Sequence, residues 1–241
     1  MCIAMRFAQP LLEGTLLKRH FRFLAEIALG SKKRMIYCPH RGHLKPCDVL
    51  GSRVWFSSAT PGFSACLDTW ELTEVDGGVL VNMNPAYTKI LVREAVLHGK
   101  IPSLTGFQCL KQTLNPGVGV GLELFWRENG DQCFVHIEPM WATDHANQTF
   151  APEQPGSGIS ALEDLIAVKK LGHQAVLLYC VQHTGVQSMS LAPTIDPRYT
   201  RVLDEALKQG VEVLAYGVSI SLEEMVLDTP IALAWEDIPS Y

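Results

Sequence analysis

Residues 121–139 read Gly121-Leu-Glu123-Leu-Phe-Trp126-Arg-Glu128-Asn-Gly-Asp131-Gln132-Cys-Phe-Val-His136-Ile-Glu138-Pro139, and this stretch decides the fold of the larger part of the chain. Gly121–Trp126 and Gln132–Pro139 read as two strands joined by the hairpin Glu128-Asn-Gly-Asp. The first strand carries a carboxylate, Glu123. On the second, His136 and Glu138 are two apart and project from one face. A carboxylate on one strand and acid-x-Lys on the next, followed by a helix and a βαβ unit, form the core of a metal-dependent nuclease. In that chemistry two carboxylates hold Mg2+ near the scissile phosphate and the metal acidifies a water. The lysine orients the nucleophile and offsets developing charge. Here the place of acid-x-Lys is taken by His136-Ile137-Glu138.

Downstream, residues 143–158 are polar and rich in Pro and Gly, and read as a loop. Ser160–Leu171 puts Leu162, Leu165, Ile166 and Val168 on one stripe of a helix ended by Gly172. Ala175–Val181 is a nearly continuous apolar run, the mark of a strand buried on both faces. Asp196-Pro197 offers an N-cap with proline at the first helical position, Gly210 follows that helix, and Val211–Val218 is the next buried strand. The order from 175 to 218 is a βαβ unit and implies a parallel pair.

Upstream, Phe21, Phe23, Ala25 and Ile27 alternate at period two within residues 16–29, which predicts a single strand turned at Gly30-Ser31. Met35–Cys38, Gly51–Phe56, Leu67–Val75 and, after the turn Asp76-Gly-Gly, Val79–Met83 complete a set of short strands. Five such strands suggest a small OB-like barrel. From Asn84 the pattern turns helical over Lys89–His98, closed at Gly99. The expected architecture is α/β with a β-barrel: an OB-like five-stranded domain at 1–83 and an α/β domain at 84–241.

Composition sets the class. With 241 residues, 47% apolar and 19% charged, the chain is long and apolar enough for a proper core. It has no window of 18 or more uncharged apolar residues, so no membrane partner is expected. Glu13, Lys18 and Arg19 arrive too early for a signal-peptide apolar stretch. Seven cysteines at irregular spacing favour a reducing, cytoplasmic setting over a disulfide framework. The net charge of −5 hides an asymmetry: residues 1–53 carry +7, and the remaining 188 carry −12. A basic module on an acidic body is a footprint of contact with a polyanion, and a solvated face without a partner is the other reading. The candidate phosphate-contacting residues are Lys18, Arg19, Arg22, Arg41, Lys45 and Arg53.

Glu123, His136 and Glu138 together form a candidate metal site suited to Mn2+ or another divalent ion; polar residues on a strand with no ligand are the favoured alternative. Cys38, His40, His43 and Cys47 are zinc-ligating types at a spacing that is no standard knuckle. Gly117-Val-Gly-Val-Gly121 mimics a phosphate loop but reads as a turn, because no buried strand precedes it. Trp55, Trp70 and Trp126 suit base stacking in an OB-type module, although core packing is the commoner fate of strand tryptophans.

The chain resembles the sugar fermentation stimulation protein (SfsA) family over residues 12–230. The family's opening pattern is matched by Leu17-Lys18-Arg19-His20-Phe21-Arg22-Phe23-Leu24-Ala25, and its Cys-Pro-Asn-Thr-Gly signature by Cys38-Pro39-His40-Arg41-Gly42. Thr69-Trp70-Glu71-Leu72, Asn84, Leu91-Val92 with Glu94-Ala95, Ile101-Pro102, Asp196-Pro197 with Tyr199, and Gly210–Ala215 match as well. The resemblance implies an OB-type N-terminal domain joined to a restriction-endonuclease-like, PD-(D/E)XK, C-terminal domain, with DNA as partner. The departures fall on the site. Ser-Arg-x-Asp-Phe is replaced by Val120-Gly121-Leu122-Glu123-Leu124, and Glu-Val-Lys by His136-Ile137-Glu138. Phe-Pro-Asp-Ala and Arg-Gly-x-x-His-Leu fall on Phe150-Ala151-Pro152-Glu153 and Ser157–Leu162. With the lysine, arginines and histidine replaced, no catalytic residue is carried over. The expectation is a homologue that binds DNA without sequence preference and bears a degenerate nuclease-like site. The alternative is a metal-dependent nuclease using Glu123, His136 and Glu138 with Mn2+ or Mg2+.

Overall fold

The computed structural model describes residues 4–40, 47–59, 68–109, 121–144, 149–152, 155–184, 186, 188–191 and 197–234. After a short strand β1 (Met5–Arg6), the chain builds a barrel from β2 (Leu12–His20), β3 (Leu24–Leu29), β4 (Lys32–Tyr37), β5 (Arg53–Ser57) and β6 (Thr69–Val75). Antiparallel ladders run in the order β4-β3-β2-β5-β6, and a parallel contact of Tyr37 with Thr69 closes the ring. Alternate residues Leu16, Ala25, Ile27, Ile36, Val54 and Phe56 point inward and are fully buried, with Trp70 among them.

The closed five-stranded barrel is as expected, but two of its parts differ from the sequence reading. Residues 16–29 form two strands, β2 and β3, divided by a turn at 21–23 in which Phe21 and Arg22 take left-handed φ values of 49° and 66°. The Phe21/Phe23 alternation imitates a continuous strand because this turn contains no Gly, Pro, Asn or Asp to mark it. The strand after the turn at 76–78, β7 (Val79–Asn82), pairs with β6 and stands outside the ring.

The body begins with α1 (Ala86–Leu97), whose Leu91, Val92, Ala95 and Val96 are buried. It continues through β8 (Gln108–Cys109), β9 (Glu123–Trp126), β10 (Gln132–Asp144), β11 (Thr149–Pro152), α2 (Pro155–Lys170), β12 (Gln174–Val181), β13 (Ser188–Leu191), α3 (Pro197–Lys208), β14 (Glu212–Ile220), β15 (Glu224–Pro230) and β16 (Ala232–Ala234). At the centre of one ten-stranded sheet, β12 runs parallel to both β10 and β14, and β9 is antiparallel to β10. The expected parallel βαβ pair is present, with Leu178 opposite Leu214. Residues 143–158, read from sequence as a loop, instead hold β11 and the first turn of α2. Pairing with the long partner β10 overrides their polar composition. One face of the sheet packs Phe125, Val135, Ile137 and Val176 with the buried stripe of α1. The other packs Phe134, Leu177 and Tyr179 with apolar residues of α2 and α3.

A polar seam joins barrel and body. Asn82 of β7 donates its backbone N–H to the Gln182 carbonyl (3.0 Å) and its side-chain amide to Gln182 Oε1 (2.7 Å). Buried Glu71 accepts from Ser57 Oγ (2.6 Å) and Asn84 Nδ2 (2.8 Å). Trp141, near the end of β10, packs into the barrel core, donates to the Asn82 carbonyl (2.8 Å) and meets the His40 ring edge-on at 4.2 Å. Among the described residues no helix is long and apolar enough to cross a membrane.

Candidate functional site

His136 and Glu138 lie on the face of β10 covered by α2, the face that also carries Phe134 and Met140. His136 Nε2 and Glu138 Oε2 are 2.9 Å apart, and His136 Nδ1 is buried without a hydrogen-bond partner among the described residues. Across the parallel ladder Glu138 stands beside Tyr179, whose hydroxyl is 2.8 Å from that of Tyr199 on α3. Burial, with the Glu138 charge adding to it, pushes both phenols well above the ordinary tyrosine value, so both stay protonated and one donates to the other. The first turn of α2 closes over this group. A Cβ on Gly158 would stand 2.8 Å from the Tyr199 ring and 3.8 Å from Glu138 Oε2. A helix N-terminus beside a buried carboxylate is electrostatically favourable.

Glu123 is not part of this group. It faces Val135 across the β9–β10 ladder, and directly opposed residues share a face, so its side chain projects toward α1. There it pairs with Lys89 (2.9 Å) and with Arg93, whose Nε lies 2.9 Å from Glu123 Oε2. Burial pushes the Glu123 carboxyl up, but the hydrogen bonds and charges of Lys89 and Arg93 outweigh it and hold the group below its ordinary value. The sheet therefore separates the three residues that the sequence reading grouped as one metal site. On the α2 face, Leu124 of β9 and Leu122 just before it pack against that core. Among the described residues no three His, Cys, Asp or Glu side chains converge. Among the described residues this face offers one carboxylate, already hydrogen-bonded to an imidazole, and a two-carboxylate Mg2+ or Mn2+ centre does not fit that set. The pair can hold and exchange a proton.

The basic candidates have different fates. Lys18 and Arg22 are exposed, and neither has an ion pair among the described residues. Arg19 is largely buried and donates to the carbonyls of Arg22 (2.9 Å) and His40 (2.6 Å), with Asp48 at 3.7 Å. Arg53 is paired with Glu13 (2.9 Å) and Glu74 (3.0 Å) and lies over the Trp55 ring. Arg41 and Lys45 fall outside the described residues, as do His43 of the zinc reading and most of the 117–121 glycine string. Cys38 and Cys47 are buried thiols. Trp55 and Trp70 are core residues of the molecule, while Trp126 is half-buried. Among the described residues the exposed phenylalanines are Phe21 and Phe23 at the β2–β3 tip, where the period-two pattern predicts a strand face.

A model of the family described as sugar fermentation stimulation protein RE domain matches residues 86–224. A sugar fermentation stimulation protein homolog of Pseudomonas aeruginosa is 39% identical over 228 residues, covering 92% of this chain and 97% of its own length. One from a Marinomonas species is 34% identical over 223 residues, covering 91% and 86%. Among solved structures, Pyrococcus furiosus SfsA in complex with Ca2+ superposes with a TM-score of 0.81 at 19% identity, over 96% of this chain and 99% of that one.

Proposed function

Because the chain belongs to the sugar fermentation stimulation protein family, we propose that it binds DNA without sequence preference through its basic N-terminal module and that its nuclease-like site is degenerate. The proposal takes 1–83 as the binding domain and 84–241 as the body. The observation that carries it is the charge split of +7 on residues 1–53 against −12 on the rest, with Lys18 and Arg22 exposed and unpaired by carboxylates among the described residues. Phosphate contacts by such groups release condensed counterions and need no sequence information. Support for the degenerate half comes from the α2 face of the sheet. Cleavage needs two carboxylates and a cation on one face, and among the described residues the strands β9–β10 and the residue before them place Glu138, His136, Leu122 and Leu124 there. The Pyrococcus furiosus relative was solved with Ca2+, a hard ion that takes several oxygen ligands. The single carboxylate that the described residues place on this face is a poor match to that demand.

The test is a polarisation titration with single- and double-stranded DNA at ~50 mM salt and above. Binding is expected at low salt and should fall steeply as salt rises. A Lys18→Ala/Arg22→Ala variant should lower the slope of log K against log salt by about 2. Absence of binding at ~50 mM salt would sink the proposal. Incubation of plasmid DNA with Mn2+ is expected to leave it intact. Cleavage abolished by Glu138→Ala would instead restore the nuclease reading.

A further inference from the structure

The tip between β2 and β3 is the one place on the barrel where large aromatic surface is held out to solvent among the described residues. Phe21 is 81% exposed and Phe23 46% exposed, and their rings stack at 6.3 Å with an angle of 27°. Leaving a phenylalanine in water costs burial energy, and the tip adds backbone strain, because Phe21 and Arg22 both sit in the left-handed region that side chains disfavour. The strain is held from beneath. Arg19 donates to the carbonyls of Arg22 and His40, and the Cys38 N–H donates to the Phe23 carbonyl at 2.8 Å. An exposed aromatic on a strained but fastened turn points to a contact made by that ring.

The surroundings indicate the occupant. The tip is the first loop of a five-stranded OB-type barrel, and β3 and β4 are its second and third strands. In such barrels that loop and that face bind oligonucleotides. On the outer face, Lys18 lies opposite Glu26 on the neighbouring strand, and Glu26 is neutralised by Lys33 at 3.1 Å. Exposed Lys18 and Arg22 therefore flank the aromatic tip with uncompensated positive charge. Met35 and Tyr37 continue an apolar surface along β4. Cations beside a projecting π-face match the phosphates and bases of a single strand. In a duplex the base faces are already covered by their neighbours, so the ring gains nothing there.

We propose that the β2–β3 tip is a base-stacking site for unpaired nucleic acid, with Phe21 as the platform and Lys18 and Arg22 on the flanking phosphates. This rests on the DNA-binding reading above and adds to it a preference for single strands.

The experiment is fluorescence anisotropy of the full chain with a labelled thymidine oligomer of about 20 nucleotides and with a duplex of the same length. The wild type is expected to favour the oligomer. Phe21→Ala should weaken oligomer binding by about 5- to 150-fold, the range of one lost stacked base, and leave the duplex unchanged. Phe21→Trp should retain oligomer affinity and show fluorescence quenching on titration beyond that of the wild type. Phe21 packs against no core, so circular dichroism of the variants should match the wild type. If the chain binds DNA but Phe21→Ala leaves the oligomer-to-duplex ratio where it was, the stacking site is overturned and the broader binding reading survives. Binding of neither DNA overturns both. If Phe21→Ala leaves oligomer affinity intact and abolishes a self-association seen by sedimentation, the tip is a contact between copies and the proposal fails.

Discussion

At the scale of single residues, parity decides the chemistry. Side chains alternate along a strand, so a carboxylate one position out of step with its neighbours belongs to the opposite face. Glu123 is spaced well to join His136 and Glu138 in sequence, but its partner across the ladder is Val135, and it becomes half of a salt-bridge cluster with α1. The same scale explains Gly158. With Tyr199 Cε2 only 2.8 Å from where a Cβ would stand, Gly158→Ala must push the Tyr199 ring off the Tyr179 hydroxyl. Overpacking of this kind costs about 1–3 kcal/mol. A urea titration should show that loss as a lower midpoint with an unchanged slope, and a midpoint equal to wild type would mean that α2 yields freely at this point.

At the scale of elements, the β2–β3 turn and the strand β10 behave differently from their sequence patterns. The turn has no glycine, although two of its residues occupy backbone space that glycine fills without strain. Arg22→Gly is therefore expected to stabilise the protein by about 0.5–1 kcal/mol, the relief of left-handed strain less the extra freedom of the unfolded chain. Because the Arg22 carbonyl keeps its bond from Arg19, the turn should persist, and thermal melting of the variant checks the sign. β10 extends further than its apolar run, because its second half pairs with β11 and carries Trp141 into the barrel. A single strand thus bears the His136–Glu138 pair in one half and a main contact between barrel and body in the other.

At the scale of the molecule, the seam is where pH acts. Burial, and then the charge of Arg19, lower the His40 imidazole to about 4. In the unfolded chain the same group titrates near ~6.5. A histidine with a depressed folded value stays neutral while the unfolded chain takes up a proton. Stability present above the unfolded value is therefore lost as pH falls from about 6.5 toward 4, by up to about 3 kcal/mol. Glu71 works the other way. Burial raises its carboxyl against the opposing hydrogen bonds of Ser57, Asn84 and Tyr87, so protonation in the folded state adds stability as pH falls through its folded value. Urea midpoints at neutral and mildly acidic pH should show a net loss that His40→Gln makes shallower. An identical loss in that variant would place the titrating group elsewhere.

Much of the order of elements was present in the sequence because it depends on local signals, although the β2–β3 turn and β11 were not. Period-two runs with turn residues predicted the barrel, the apolar run 175–181 predicted a strand buried on both faces, and Asp196-Pro197 with Gly210 bracketed α3 and implied the parallel crossover. The absence of lysine at 138 was equally visible, since identity needs no geometry. Only the tertiary structure decided that Glu123 and Glu138 lie on opposite sides of the sheet, because hairpin register sets which residues oppose one another and a shift of one residue reverses a face. It also decided that Phe21 leaves the strand pattern for an exposed turn. That turn is imposed by the β2–β3 ladder and by Arg19 reaching from the side, contacts that composition does not encode.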